Sequence, residues 1–261
     1  MNNVDLLSGL LLGLLQGVGE WLPVSSSGQT MLVLLDFFGL SPGEAFAYGI
    51  FLHVGTMAAV LVKYRGTWAK VFEDKPLVKF LAVASVFTGV SGLVMYFWFK
   101  SVTLKAFDGG FMNAIIGFLL IVTGIALYLS HKKVFGVKSL KQLSLFDTAV
   151  VGLAQGFSIL PGVSRSGVTV STLVLSEVRQ DEALRLSFLL SVPAVAGAVV
   201  LELLTDGLGS VELGVGAAGL LASFISGYAL MDALILFAKR VRFDIFCILF
   251  GLLAVLATLA F

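Results

Sequence analysis

The chain has 261 residues, of which 58% are hydrophobic and 13% are charged. Its formal net charge of +1 gives no reason to expect a nucleic-acid partner, and we predict none. Several apolar stretches approach or exceed the roughly 20 residues that a helix needs to cross a bilayer. The sequence therefore predicts an all-α polytopic membrane protein.

The first apolar stretch, residues 4–18, is too short to span a bilayer, and a turn with one proline and three serines follows it. A second short apolar stretch covers residues 31–38. Backbone that leaves a helix at membrane depth is tolerated only where protein or a wet cavity satisfies it. The pattern predicts a re-entrant helix pair whose turn lines a cavity, and residues 146–175 predict a second broken segment.

Six further stretches predict transmembrane spans, at residues 45–62, 80–99, 111–130, 184–203, 213–237 and 243–261. Most of the 17 basic residues lie in the segments 63–79, 132–141, 179–185 and 239–242. These segments fall on one side if the spans alternate, and an excess of Lys and Arg marks the cytoplasmic side. Both termini are then predicted to lie outside.

An internal repeat organises the chain, because the segment 13–30 recurs at 152–169 with Gly, Gln, Ser and Thr at the same places. Three predicted spans separate the copies, so the second copy must enter from the opposite face. We predict an inverted repeat of two halves, each a re-entrant helix pair plus three transmembrane helices. The single membrane domain, 1–261, divides into repeat one (1–130), a basic cytoplasmic loop (131–145) and repeat two (146–261).

The two copies differ at chemically informative positions, since Glu20 aligns with Ile159 and Arg165 aligns with Ser26. The tips of the two predicted re-entrant segments would enter from opposite faces and meet near the midplane. The carboxylate of Glu20 and the guanidinium of Arg165 would then lie close together. An unpaired charge at membrane depth costs about 3 kcal/mol or more. The guanidinium fork, nearby hydroxyls and helix N-terminal amides suit a phosphate. The alternative is an Arg165–Glu20 ion pair that only pins the tips together.

We predict Glu20, Ser26 and Arg165 as catalytic residues. Glu20 would act as a general base, orient a water or ligate a hard divalent cation. Ser26 is the candidate nucleophile if the reaction is covalent, with helix capping as the alternative for each serine. His53 is predicted to pack or hydrogen-bond within a span rather than to catalyse. The hydroxyls and glycines predicted to bind substrate are Ser25, Ser27, Gly162, Ser164, Ser166, Gly167 and Thr169.

Residues 16–28 and 160–169 resemble the two signature motifs of the undecaprenyl-diphosphate phosphatase family, also called the bacitracin-resistance family. The resemblance covers nearly the whole chain. It implies an enzyme of the prokaryotic plasma membrane that hydrolyses a polyprenyl diphosphate to the monophosphate and inorganic phosphate. It also implies a divalent cation, Mg²⁺ or Ca²⁺, and the recycling of a lipid carrier for cell-envelope glycans. The chain could in addition form a homodimer.

Two positions depart from the family's motif, which usually has an acid where this chain has Gln16 and a histidine where it has Gln29. Glutamine can hydrogen-bond a phosphate, so both are predicted to bind substrate, but it is neither an efficient base nor an anionic metal ligand. Glu20 is then the predicted metal ligand. The rival functions are a lipid-phosphate flippase or transporter, which inverted repeats also build, and a catalytically silent lipid-phosphate binder.

Overall fold

A computed structural model describes residues 4–103, 109–131, 136–205, 207, 212–238 and 242–260. All named elements in these ranges are helical, and one isolated bridge joins Lys138 to Val178. The α-helices are α1 (Leu6–Gly19), α2 (Ser26–Asp36), α3 (Pro42–Lys63), α4 (Arg65–Ala69), α5 (Lys75–Trp98), α6 (Gly109–His131), α7 (Leu145–Gly156), α8 (Arg165–Leu175), α9 (Gln180–Thr205), α10 (Leu213–Ala238) and α11 (Phe243–Ala260). Single 3₁₀ turns lie at Val71–Glu73, Leu140–Gln142 and Phe157–Ile159, and a π turn lies at Phe99–Thr103.

Five helical stretches in the described ranges are long and apolar enough to cross a membrane: Pro42–Lys63, Lys75–Ser101, Phe111–Leu129, Gln180–Thr205 and Leu213–Phe237. The sixth predicted span forms α11, whose apolar part among the described residues is shorter, Phe243–Leu256. Large apolar side chains such as Val86, Phe118 and Ile225 are exposed on these helices, as lipid contact requires. The chain is therefore a multi-pass membrane protein.

Polar side chains fix where the helices begin. Ser41 and Glu44 form a reciprocal capping box at the start of α3, and Ser144 and Asp147 form another at the start of α7. The Ser144 hydroxyl donates to the carboxylate at 2.7 Å and lowers the pKa of Asp147 below its ordinary value. Both capping boxes satisfy backbone N–H groups that have no acceptor within the first helical turn.

The helices of the two sequence halves pack in a reciprocal pattern. Helix α1 packs along α10, and its counterpart α7 packs along α5, while α3 contacts both α9 and α10. Gly17 in α1 and Gly156 in α7 hold matching positions, because a Cβ at either would collide with a serine hydroxyl of the helix opposite, Ser226 or Ser91. Small residues at such contacts let membrane helices approach closely.

Two turns interrupt the short helices, one between α1 and α2 and one between α7 and α8. They touch inside the bundle, since the Gly162 amide donates to the Ser25 hydroxyl at 3.0 Å. Gly162 has φ of +100°, and a Cβ at Gly28 would lie 2.9 Å from the Gly162 nitrogen. Glycine is needed at both positions because of this conformation and this close approach. The turns thus bring the first residues of α2 and α8 together.

Candidate active site

The site is built on the N-terminal ends of α2 and α8. Ser25 caps α2 by accepting from the Gly28 amide at 3.3 Å, and Ser164 caps α8 by accepting from the Gly167 amide at 3.1 Å. The next residues, Ser26 and Arg165, are therefore equivalent in structure as they are in the sequence repeat. Two helix N-termini with their partial positive charge point toward one region.

Glu20 lies immediately after α1 and is buried, with 5% of its surface exposed. Its Oε2 accepts hydrogen bonds from Gln16 Nε2 at 2.9 Å and from the Ser26 hydroxyl at 2.7 Å. Its Oε1 accepts from Arg165 Nη2 in a close ion pair. The carboxylate is thus held by a guanidinium, an amide and a hydroxyl, which together offset its desolvation.

One nitrogen of the Arg165 guanidinium has no hydrogen-bond partner among the described residues. Its Nη2 pairs with Glu20 and its Nη1 donates to the Ser187 carbonyl at 3.2 Å, but its buried Nε has no hydrogen-bond partner among the described residues. Leaving a buried donor unsatisfied costs about 1–3 kcal/mol. A structural strut has no need of this arrangement, whereas an anion would satisfy the remaining donor.

A polar cavity of about 20 Å³ lies between the two turns, with room for roughly one water. Six serines line it together with Glu20, His53 and Arg165, namely Ser25, Ser26, Ser27, Ser158, Ser164 and Ser166. Beside it lies a larger cavity of about 330 Å³ with mostly apolar walls from α2, α3, α5, α7, α9 and the second turn. Four residues belong to the walls of both cavities, Ser27, His53, Ser158 and Arg165.

The polar cavity contains seven of the predicted site residues, Glu20, Ser25, Ser26, Ser27, Ser164, Arg165 and Ser166. The other five predicted site residues do not line this cavity, although the sequence predicted that they contact the substrate. These are Gln16, Gln29, Gly162, Gly167 and Thr169. Gln29 donates to the Val24 carbonyl at 3.3 Å instead. Thr169 lies one turn beyond Arg165 and donates to the Arg165 carbonyl at 2.7 Å.

His53 lies in the site, whereas the sequence predicted only that it packs or hydrogen-bonds within a span. Its Nε2 lies 3.2 Å from Glu20 Oε2, and its Nδ1 lies 2.6 Å from the Gly49 carbonyl oxygen. The sequence gives no distance between residues on different helices, so the contact with Glu20 was not visible. One signal was available, because residues 51–54 align with residues 189–192 in a weaker extension of the repeat. Ser158, which aligns with Gly19, was missed as well.

The described residues around Glu20 do not by themselves form a divalent-cation site. Among the described residues, no group of three or more His, Cys, Asp or Glu side chains could hold a metal ion. Glu20 is the only carboxylate in the described lining of the polar cavity, and both its oxygens already accept hydrogen bonds. Ca²⁺ takes several oxygen ligands, and Mg²⁺ is usually held by carboxylates together with waters and substrate phosphates. Glu20 alone therefore does not provide such a site.

These features define a class of protein, a polytopic membrane protein with a buried charged site beside an apolar cavity. Comparison with known proteins gives the family. A family model described as bacitracin resistance protein BacA matches residues 9–256, and the chain belongs to this family.

Similar proteins include three that are named undecaprenyl-diphosphatase. The relative from Methanothrix thermoacetophila is 44% identical over 257 residues, which cover 98% of each chain. The relative from Methanococcoides burtonii is 38% identical over 270 residues, with 97% of this chain and 98% of the relative covered. The relative from Saccharolobus solfataricus is 34% identical over 269 residues, with 97% and 95% covered. The family resemblance of the two motifs is confirmed.

Proposed function

We propose that this protein hydrolyses a polyprenyl diphosphate of the undecaprenyl type to the monophosphate and inorganic phosphate, which recycles the lipid carrier for cell-envelope glycan synthesis. One observation carries the proposal. A polar cavity with an unsatisfied arginine donor shares four wall residues with an apolar cavity of about 330 Å³. A lipid diphosphate has the same division into a charged head and an apolar chain. The names of the relatives support this substrate.

Binding begins with an exchange of partners at Arg165. The polar cavity is too small for a phosphate while Arg165 pairs with Glu20. A terminal phosphate that replaces Glu20 as the partner of the guanidinium gains bidentate, charge-assisted hydrogen bonds. The amides at the starts of α2 and α8 add partial positive charge. The isoprenoid chain then occupies the apolar cavity.

The same exchange prepares Glu20 for proton transfer. A carboxylate released from its guanidinium is a stronger base, and Ser26 already donates to Glu20 Oε2 at 2.7 Å. We assign Ser26 as the nucleophile that attacks the terminal phosphorus while Glu20 takes its proton. Water then hydrolyses the phosphoserine with Glu20 again as base. Direct attack by a Glu20-oriented water is the alternative to this route.

The two rival functions use less of this chemistry. A lipid-phosphate flippase or a silent lipid-phosphate binder requires the anion site around Arg165 but has no use for a hydroxyl held against a carboxylate. The Ser26–Glu20 contact therefore favours the hydrolase.

The finer architecture is part of the same proposal. The repeated motif, the reciprocal packing of α1 on α10 and α7 on α5, and the basic segments support an inverted repeat with two re-entrant helix pairs. The protein then lies in the plasma membrane of a prokaryote with both termini outside. A homodimer stays a prediction from the sequence.

The test is inorganic phosphate release by the purified protein from a long-chain polyprenyl diphosphate in detergent micelles. Glu20→Gln and Arg165→Lys are each expected to reduce kcat/KM by about 10²–10⁴-fold, because one removes the base and the other the bidentate phosphate contact. Matched controls are Glu177→Gln and Arg179→Lys, whose side chains are more than half exposed in surface ion pairs. Both controls should keep full activity.

A Ser26→Ala variant separates the two routes. Loss of phosphate release comparable to that of Glu20→Gln supports the covalent route, whereas substantial residual turnover supports direct attack by water. Lipid binding without any phosphate release by the unaltered protein would contradict the hydrolase. Lipid movement across vesicles in that case would establish the flippase.

A further inference from the structure

His53 is in contact with the proposed base and has both ring nitrogens engaged. Its Nδ1 lies 2.6 Å from the Gly49 carbonyl oxygen, and its Nε2 lies 3.2 Å from Glu20 Oε2. A carbonyl oxygen and an ionised carboxylate can only accept hydrogen bonds. With Glu20 ionised, both contacts are satisfied only when each ring nitrogen carries a proton, so this arrangement fits an imidazolium.

The position of His53 places that proton at the boundary of the two cavities. Residues in the walls of both cavities are Ser27, His53, Ser158 and Arg165. With the terminal phosphate in the polar cavity and the chain in the apolar one, the bridging oxygen of the diphosphate lies at this shared wall. A guanidinium does not give up a proton in proteins, and a serine hydroxyl is a weak acid. His53 is the shared residue suited to protonate a leaving group.

We infer that His53 is the general acid of the reaction, an inference that rests on the proposed function. The Ser26 oxygen forms a bond to the terminal phosphorus, and its proton passes to Glu20. The bond between that phosphorus and the bridging oxygen breaks, and its electron pair stays on the polyprenyl monophosphate. This oxygen takes the Nε2 proton of His53. The proton held by Glu20 then returns to His53 across their contact, which restores both groups.

The common oxygen of the contacts supports this relay. Glu20 Oε2 accepts from the Ser26 hydroxyl at 2.7 Å and faces His53 Nε2 at 3.2 Å. The proton that Ser26 gives to Glu20 is therefore on Oε2, the same atom that can return a proton to His53 Nε2. A histidine that only positions Glu20 would have no reason to lie in the wall of the apolar cavity, where His53 is also found.

The decisive experiment compares two substrates in one preparation of the full-length protein: a polyprenyl diphosphate and its analogue with sulfur as the bridging atom. The thiophosphate leaving group departs without protonation, so it makes a general acid unnecessary. His53→Gln is expected to lower kcat on the oxygen-bridged substrate by about 10²–10⁴-fold and on the sulfur-bridged one by less than about tenfold. Glu20→Gln should lose activity on both.

The matched control is His131→Gln at the last residue of α6, because the chain has two histidines. The control should leave the ratio of the two rates unchanged. This ratio does not depend on how much of a variant is folded, so a destabilised His53→Gln protein remains informative. An unchanged ratio in His53→Gln would overturn the assignment of the acid alone. No turnover of either substrate by the unaltered protein would overturn both this assignment and the proposed function.

Discussion

At the scale of single residues, Ser25 connects the two halves of the site. Its hydroxyl accepts from the Gly28 amide at 3.3 Å and from the Gly162 amide at 3.0 Å. Its backbone has φ of 58°, a left-handed conformation that is unusual for a residue other than glycine. Strain of this kind persists only where the surroundings fix it, and it often occurs at functional sites. Here the two hydrogen bonds that the Ser25 hydroxyl accepts hold the backbone in this conformation.

We expect Ser25→Ala to lower the free energy of unfolding by about 1–3 kcal/mol, because two buried amides lose their acceptor. The Ser27→Ala control removes a neighbouring hydroxyl whose described contact is Ser25 Oγ at 3.4 Å, so it should change stability much less. Thermal unfolding in detergent measures both. Equal stability of the two variants would contradict the role assigned to Ser25.

At the scale of the helices, two matching close approaches determine the packing of α1 and α7. A Cβ added to Gly13 would lie within 2.8 Å of the Ala222 Cβ and in contact with the Gly219 backbone of α10. The corresponding Gly152 of α7 faces the Ala84 backbone of α5 in the same way. Because a backbone cannot move aside as a long side chain can, these glycines fix how near α1 and α7 lie to the spans. They thereby fix where the two turns meet.

Gly13→Ala should therefore destabilise the protein by about 1–3 kcal/mol through overpacking. Gly214→Ala in α10 is the matched control, since a Cβ there meets nothing within 4 Å. The control should be neutral or stabilising by up to about 1 kcal/mol, because alanine favours the helix over glycine. The thermal unfolding midpoints of both variants measure this effect. An equal loss of stability in the control would show that overpacking at the α1–α10 contact is not the cause.

On the scale of the whole molecule, much of the architecture was readable from the sequence. Apolar length predicted the long helices. The repeat predicted that Glu20 and Arg165 meet, because the tips of the two predicted re-entrant helix pairs approach each other and an unpaired charge at membrane depth is costly. The contact of His53 with Glu20 could not be predicted, because it depends on how α3 packs against the end of α1. The same limit applies to Gln29, whose bond to the Val24 carbonyl depends on the course of the turn before α2.

The proposed topology can be tested in the intact membrane. In a Cys247→Ser background, the single cysteine of the chain is removed, and new cysteines are placed at Glu212 and Lys141, which are both exposed. The distribution of basic residues predicts that Glu212 lies outside and Lys141 in the cytoplasm. An impermeant maleimide should label Glu212→Cys in intact cells and Lys141→Cys only after permeabilisation. The opposite pattern would reverse the proposed orientation.

The apolar cavity has a consequence for how the rate of such an enzyme is measured. Each methylene of a chain that leaves water contributes about 0.8 kcal/mol, so a long isoprenoid stays in the bilayer or micelle rather than in solution. A cavity walled by α3, α5, α7 and α9 meets its ligand within that two-dimensional phase. Turnover then follows the mole fraction of the lipid in the micelle, and added detergent slows the reaction by surface dilution although the bulk amounts of enzyme and substrate are unchanged.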